Sequence, residues 1–342
     1  NNRRTYHFEL NKGLIFLLTV LIFYPSIIWS QEIRGLSFVG TRDRVSKENL
    51  IPIKKSAANW VALMPYGYMK SAQTPMLSYN VSWQWQGETK NGIEQAVPFF
   101  QREGISVMLK PHIWIKGGVF TGTISFDSPE EWKQFQESYR KFILHFAQVA
   151  EVTKIPMLCI GTELQSVVAN SPAYWKQMIY EIKQVFSGKL TYAENWDQFE
   201  NVPFWDQLDY VGIDAYFPLK TASPTVNVLT ELWQPYVDNL KAFAEKYNRK
   251  IVFTEMGYRS IDQPTTKPWD YSLREQAFNG QTQADALEAL FVSFQNKPWW
   301  AGGFIWKWFP DHLNSGGTSD TTFSPQNKPA EAVIGRYFTN WQ

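Results

Sequence analysis

Cysteine is almost missing from this 342-residue chain: Cys159 stands alone, so no intramolecular disulfide can form. CxxC and Cys/His zinc arrangements are excluded with it, and the four histidines are scattered without metal-ligand spacing. A large hydrophobic core must supply the stability instead. Charge of one sign is also lacking. With 33 basic and 32 acidic residues the net charge is +1, and no basic patch is visible, which argues against a nucleic-acid partner. No linker, low-complexity stretch or internal repeat divides the chain.

Long apolar runs are scarce too. The one near the start, 14–29, is interrupted by Pro25 and is short for a membrane span, which needs ~20 residues. Arg3, Arg4 and Lys12 precede it, so 1–30 reads as a secretory signal peptide cut near Ser30-Gln31. No cysteine follows for lipid attachment. Export to the periplasm or the medium is expected, with no stable membrane partner once the signal is removed. An uncleaved N-terminal anchor is the alternative.

What the chain does have is aromatic content: 16 Trp, 16 Tyr and 24 Phe. Many are core. Others sit beside polar residues at the ends of apolar runs, as in Trp83-Gln84-Trp85, Asn195-Trp196-Asp197 and Trp306-Lys307-Trp308. Flat rings with a polar edge are platforms for the C–H faces of sugars; nucleobases stack similarly, but the balanced charge disfavours them.

Residues 31–342 alternate short apolar runs with longer amphipathic ones. Strands are predicted over 34–39, 60–65, 106–112, 157–163, 190–195, 210–216, 251–255 and 303–308, each apolar enough to be buried on both faces. Helices are predicted between them. One opens at Ser128-Pro129 and carries Trp132, Phe135, Tyr139, Phe142, Ile143 and Phe146 at spacings of three and four. Another opens at Ser171-Pro172. The first and fifth helices are weakly marked. Eight strand–helix repeats in an α/β chain predict a single-domain (β/α)₈ TIM barrel, with long loops after strands two, three, seven and eight.

Two strand ends stand out. Residues 157–163 finish in Glu163 and 251–255 finish in Glu255. They belong to strands four and seven, almost opposite across an eight-stranded barrel, and are 92 residues apart, or three βα units. Carboxylates placed there converge over the mouth. Glycoside hydrolysis needs such a pair, one protonated and one ionised. A lone Thr-Glu at a strand end is more often a helix cap or an ion-pair partner. Two in register, beside aromatic residues, favour catalysis.

The order Lys110-Pro111-His112-Ile113-Trp114, Gly161-Thr162-Glu163-Leu164, Asp214-Ala215-Tyr216, Thr254-Glu255-Met256-Gly257-Tyr258 and Trp306-Lys307-Trp308 resembles glycoside hydrolase family 113, over roughly 33–340. That family belongs to a clan of retaining barrel glycosidases and is known for β-1,4-mannanases. The resemblance implies Glu163 as acid/base and Glu255 as nucleophile. It implies Tyr216 as the tyrosine that hydrogen-bonds the nucleophile, and Trp306 as the floor under the sugar, with Trp308 as fallback. His112, Trp114, Asn195 and Trp196 are candidate sugar contacts. Most of the clan has Asn before the acid/base, to bind the sugar 2-hydroxyl; here Thr162 stands there, with a shorter side chain and a single donor.

The expected partner is a β-linked polysaccharide or oligosaccharide, and the expected reaction is retaining hydrolysis of β-1,4-mannan or glucomannan. No cofactor is needed. An exo-acting β-mannosidase, a hydrolase of another β-glycan and a silent carbohydrate-binding barrel stay open as alternatives. Residue parity places Lys110, His112 and Cys159 toward the barrel interior. His145 and the Asp311-His312 pair read as structural.

Overall fold

The computed structural model describes residues 32–270 and 276–341, so the predicted signal segment lies outside the described residues. No helix of the described part is long and apolar enough to cross a membrane.

Ten strands are found among the described residues: β1 Ile33–Phe38, β2 Trp60–Leu63, β3 Tyr66–Met69, β4 Ser106–Leu109, β5 His112–Ile115, β6 Met157–Thr162, β7 Lys189–Asn195, β8 Tyr210–Asp214, β9 Lys250–Met256 and β10 Trp300–Trp308. Eight of them close a parallel barrel in the order β1-β10-β9-β8-β7-β6-β4-β2, as the repeats predicted. Alternation along each strand sorts the side chains. Small and medium residues such as Ala62, Met108, Cys159, Ala193 and Val252 fill the interior, while a far larger apolar layer lies between barrel and helices.

That outer layer is covered by α1 Lys47–Lys55, α2 Lys90–Arg102, α3 Pro129–Val152, α4 Gln165–Asn170, α5 Pro172–Val185, α6 Val226–Tyr247, α7 Gly280–Phe294 and α8 Pro329–Asn340. The Ser128 hydroxyl accepts the Glu131 N–H at 3.2 Å and Glu131 accepts the Ser128 N–H at 3.2 Å, a reciprocal cap that starts α3 one residue before Pro129. Along this helix Phe135, Phe142 and Phe146 are fully buried, each burial stabilising by roughly 1.5–3 kcal/mol.

Two departures from simple alternation matter. Between β7 and β8 no α-helix forms; Pro203 interrupts the segment, which makes two 3₁₀ turns, Phe199–Asn201 and Trp205–Gln207. The predicted strand 106–112 is split at Pro111, and the predicted strand 60–65 stops short of its last residue, Pro65. Pro65 and Pro111 offer no N–H, so barrel pairing stops at Leu63 and Leu109. Beyond them β3 and β5 pair in parallel, Tyr66 opposite His112 and Tyr68 opposite Trp114, as a two-stranded ribbon. It occupies part of the two loops expected to be long.

Bulges complete the frame. From Cys159 to Thr162 β6 advances three residues while β7 advances two, from Thr191 to Ala193. From Phe253 to Glu255 β9 advances two while β8 advances one, from Ile213 to Asp214. Each carboxylate-bearing strand therefore carries one extra residue just before its glutamate. Such bulges re-aim the side chains that follow.

Candidate active site

Glu255 belongs to β9. Plain alternation from Val252, which faces the interior, would turn it outward; the bulge at Thr254 pairs it with inward-facing Asp214 instead. Its carboxylate is held on both oxygens. Lys110 donates to Oε1 at 2.6 Å, and the Tyr216 hydroxyl donates to Oε2 at 2.7 Å. The Lys110 ammonium also donates to Asp214 Oδ1 at 3.0 Å, and the Thr254 hydroxyl donates to the same oxygen at 2.7 Å. His112 Nε2 lies 3.9 Å from Glu255 Oε1, too far for a hydrogen bond.

Glu163 follows β6, and its backbone is left-handed, with φ +51°. A non-glycine residue held there costs about 1–3 kcal/mol, so something must fix it. Its N–H donates to Ala193 O at 2.8 Å, and its carbonyl accepts the Thr121 hydroxyl at 3.2 Å. The next N–H, of Leu164, donates to the Tyr192 hydroxyl oxygen at 2.8 Å. Glu163 stays partly open to the barrel mouth.

The two glutamates share one electrostatic environment. Burial, then the charges of Asp214 and Glu255, hold the Glu163 carboxyl well above the ordinary value; Lys110 opposes them. Burial and Asp214 push Glu255 up to about 7, while Lys110 and Tyr216 pull it down. The two differ in what holds them: Glu255 has Lys110 and Tyr216 hydrogen-bonded to its oxygens, whereas Glu163 is lifted by burial and by its acidic neighbours. Burial lowers the Lys110 ammonium, but Asp214 and Glu255 outweigh it and the net shift is upward. Burial, then Lys110, push His112 well below the usual histidine range, so it is a neutral ring. Cys159 is buried within the barrel and pushed up to about 12, chiefly by burial, which makes it a packing residue.

The aromatic candidates divide. Trp306 is partly exposed and lies parallel to the His112 ring, 2° between planes and 6.2 Å between centroids. Trp114 is exposed on β5, two residues beyond His112 on the same side of the ribbon. Trp196 is partly buried and stacks on Trp269 at 5.2 Å; its N–H donates to Asn195 Oδ1 at 3.1 Å. Thr162 pairs with Ala193 and so faces the interior. Trp308 requires a correction. It is wholly buried against the core and the His312 ring, 5.6 Å away, and offers no face to a ligand. His312 itself contacts Glu331 at 2.6 Å, and Asn80 contacts His145 at 2.8 Å, both structural pairs.

Sequence reasoning gave no role to Asp214, Thr254, Tyr192 or Glu194, and only an orientation to Lys110. A lysine inside an apolar strand, followed by Pro-His, was the one available signal. Glu194 in Tyr-Ala-Glu-Asn looked like any strand-end carboxylate.

A closed parallel barrel with two glutamate carboxyls in one buried electrostatic environment at its mouth, flanked by rings, has the build of a barrel glycoside hydrolase. The family model described as Glycoside Hydrolase Family 113 matches residues 39–328, and the chain belongs to that family. The structure of GH113 β-mannanase AaManA from Alicyclobacillus acidocaldarius, in complex with ManMIm, is similar at TM-score 0.78 and 27% identity, over 91% of this chain and 98% of that one. A complex structure of a GH113 β-1,4-mannanase is similar at TM-score 0.78 and 23% identity, over 91% and 99%. A β-glucuronidase from Ruminococcus gnavus shares the fold alone, at TM-score 0.58 and 12% identity, over 91% of this chain and 50% of that one. Among curated protein sequences no relative matches. Among the described residues no group of three or more His, Cys, Asp or Glu could hold a metal ion.

Proposed function

We propose that this glycoside hydrolase cleaves β-1,4-mannosidic bonds in mannan or glucomannan by double displacement, with Glu163 as acid/base and Glu255 as nucleophile. The observation that carries the reading is the opposed environment of the two carboxyls. One is gripped by Lys110 and Tyr216, and the other is raised by burial and by its acidic neighbours.

In the first step Glu255 Oε attacks the anomeric carbon as the glycosidic C–O bond breaks, and the Glu163 proton passes to the departing oxygen. In the second, Glu163, now a carboxylate, takes a proton from water as that water displaces Glu255. Retention requires the carboxyls to lie ~5–5.5 Å apart, close enough for each to feel the other's charge. Carboxylates and water suffice, so no cofactor enters.

Mannan as substrate is supported by membership of a family whose similar solved structures are β-mannanases. Export, proposed from the basic and apolar segments of 1–30, suits a polymer that cannot enter the cell.

Incubation with β-mannans and β-glucans, followed by chromatography and anomeric proton spectra of the products, tests the reading. Mixed manno-oligosaccharides with retained β-configuration are expected, and Glu255→Ala should abolish turnover while sugar binding persists. Release of mannose alone would point to exo action. Products only from β-glucans would move the substrate. No reducing sugar from any β-glycan, or near-normal turnover by Glu255→Ala, would sink the assignment.

A further inference from the structure

Ala193 faces the barrel interior, so Tyr192 and Glu194 on either side of it face outward, into the layer beneath the helices. The Tyr192 ring packs there against Trp175 at 5.3 Å and Phe204 at 5.5 Å. Glu194 is 1% exposed in the same layer. A carboxylate in such a place is costly, and an apolar side chain would pack at least as well.

Its two oxygens face the two segments that flank the candidate site. Oε1 accepts the Asn195 N–H at 2.9 Å, and Oε2 accepts the Tyr192 hydroxyl at 3.1 Å. The Tyr192 oxygen in turn accepts the Leu164 N–H at 2.8 Å. Leu164 directly follows Glu163, whose left-handed backbone needs holding. A hydroxyl that donates to a carboxylate becomes a better acceptor, so the chain from Glu194 through Tyr192 to Leu164 strengthens as a unit.

We propose that Tyr192 and Glu194 are positioning residues that hold Glu163 in its proton-donating pose from outside the barrel, an inference that rests on Glu163 being the acid/base. Neither touches substrate. Glu163 itself is faced by Asp214, Glu255, Lys110 and Glu194; Glu194, pushed up to about 7 chiefly by burial, is faced by Tyr192, Asp214 and Asp197, and once ionised it adds negative charge near the acid.

The test compares two leaving groups. For each variant kcat/KM, which reports the steps up to the glycosyl-enzyme, is measured on mannotetraose and on 2,4-dinitrophenyl β-mannobioside, whose leaving group needs little protonation. Tyr192→Phe and Glu194→Gln should each lose about tenfold or more on mannotetraose and under about threefold on the dinitrophenyl substrate. Glu194→Gln should also move the alkaline limb of kcat/KM on mannotetraose to lower pH, because a negative charge near Glu163 is gone. Equal losses on both substrates, or unchanged kinetics with only a lower Tm, would overturn the proposal. Glu163→Ala is the control. If it shows no leaving-group dependence, the acid/base assignment itself fails, separately from the relay. Should Tyr192→Phe not fold, Glu194→Gln alone carries the decision.

Discussion

The Lys110 ammonium lies 2.6 Å from Glu255 Oε1 and reaches it from β4's end, across the barrel. Lys110 and the Asp214 carboxyl beside it are fully buried, so this cation is the local counterweight to two acids. Lys110→Met should destabilise the fold by about 3–5 kcal/mol, since removing one partner strands buried charge. It should also raise the Glu255 pKa further and move the acid limb of kcat/KM up by about one unit or more. Thermal melts and a pH–rate profile check both parts.

The Tyr216 hydroxyl donates to the other oxygen of Glu255, and Tyr216→Phe removes only that donor. A hydrogen bond to a charged group is worth about 1.5–3 kcal/mol, so kcat/KM should fall roughly 10–150-fold with little change in Tm. Retained activity would place Tyr216 in packing alone.

Two tryptophans at the same spacing should behave differently. Trp308→Ala should cost about 3–5 kcal/mol of stability, seen in denaturant unfolding, because the ring is wholly buried. Trp306→Ala should leave Tm nearly unchanged and lower kcat/KM on manno-oligosaccharides about tenfold or more, a ring platform being worth roughly 1–3 kcal/mol.

A Cβ on Gly257 would sit 2.5 Å from the Trp306 carbonyl oxygen. Gly257→Ala must therefore shift the backbone that presents Trp306, and loss of activity should exceed loss of stability. Parallel melts and kinetics decide this.

Stability should also carry a pH signature. Burial raises Glu255 from an ordinary 4.5 to about 7 in the folded chain, so folding takes up a proton between those values. Stability from this group is full below the lower value and is lost as pH rises through the upper one. Unfolding midpoints measured across that window should decline with rising pH, and Glu255→Gln should flatten the decline.

The eight barrel strands were legible because each is a short apolar run between turn residues. The site was half legible. Glu163 and Glu255 advertise themselves at strand ends, but their aim does not follow from a two-residue period, since each strand carries an extra residue just upstream. Trp306 and Trp308 share a face by spacing, but β10 carries an extra residue between Ile305 and Trp308, which pairs Trp308 with Phe38 and turns it into the outer core. Glu194 was invisible because its meaning lies in the Leu164 amide, 30 residues away.

The two bulges carry a consequence for how such an enzyme can change. They lie in hydrogen-bonded strands, one within β9 at Glu255 and one at the end of β6 just before Glu163. The segments after Leu63 and Leu109 can therefore be lengthened, trimmed or exchanged to suit a different glycan, while the two glutamates keep their aim.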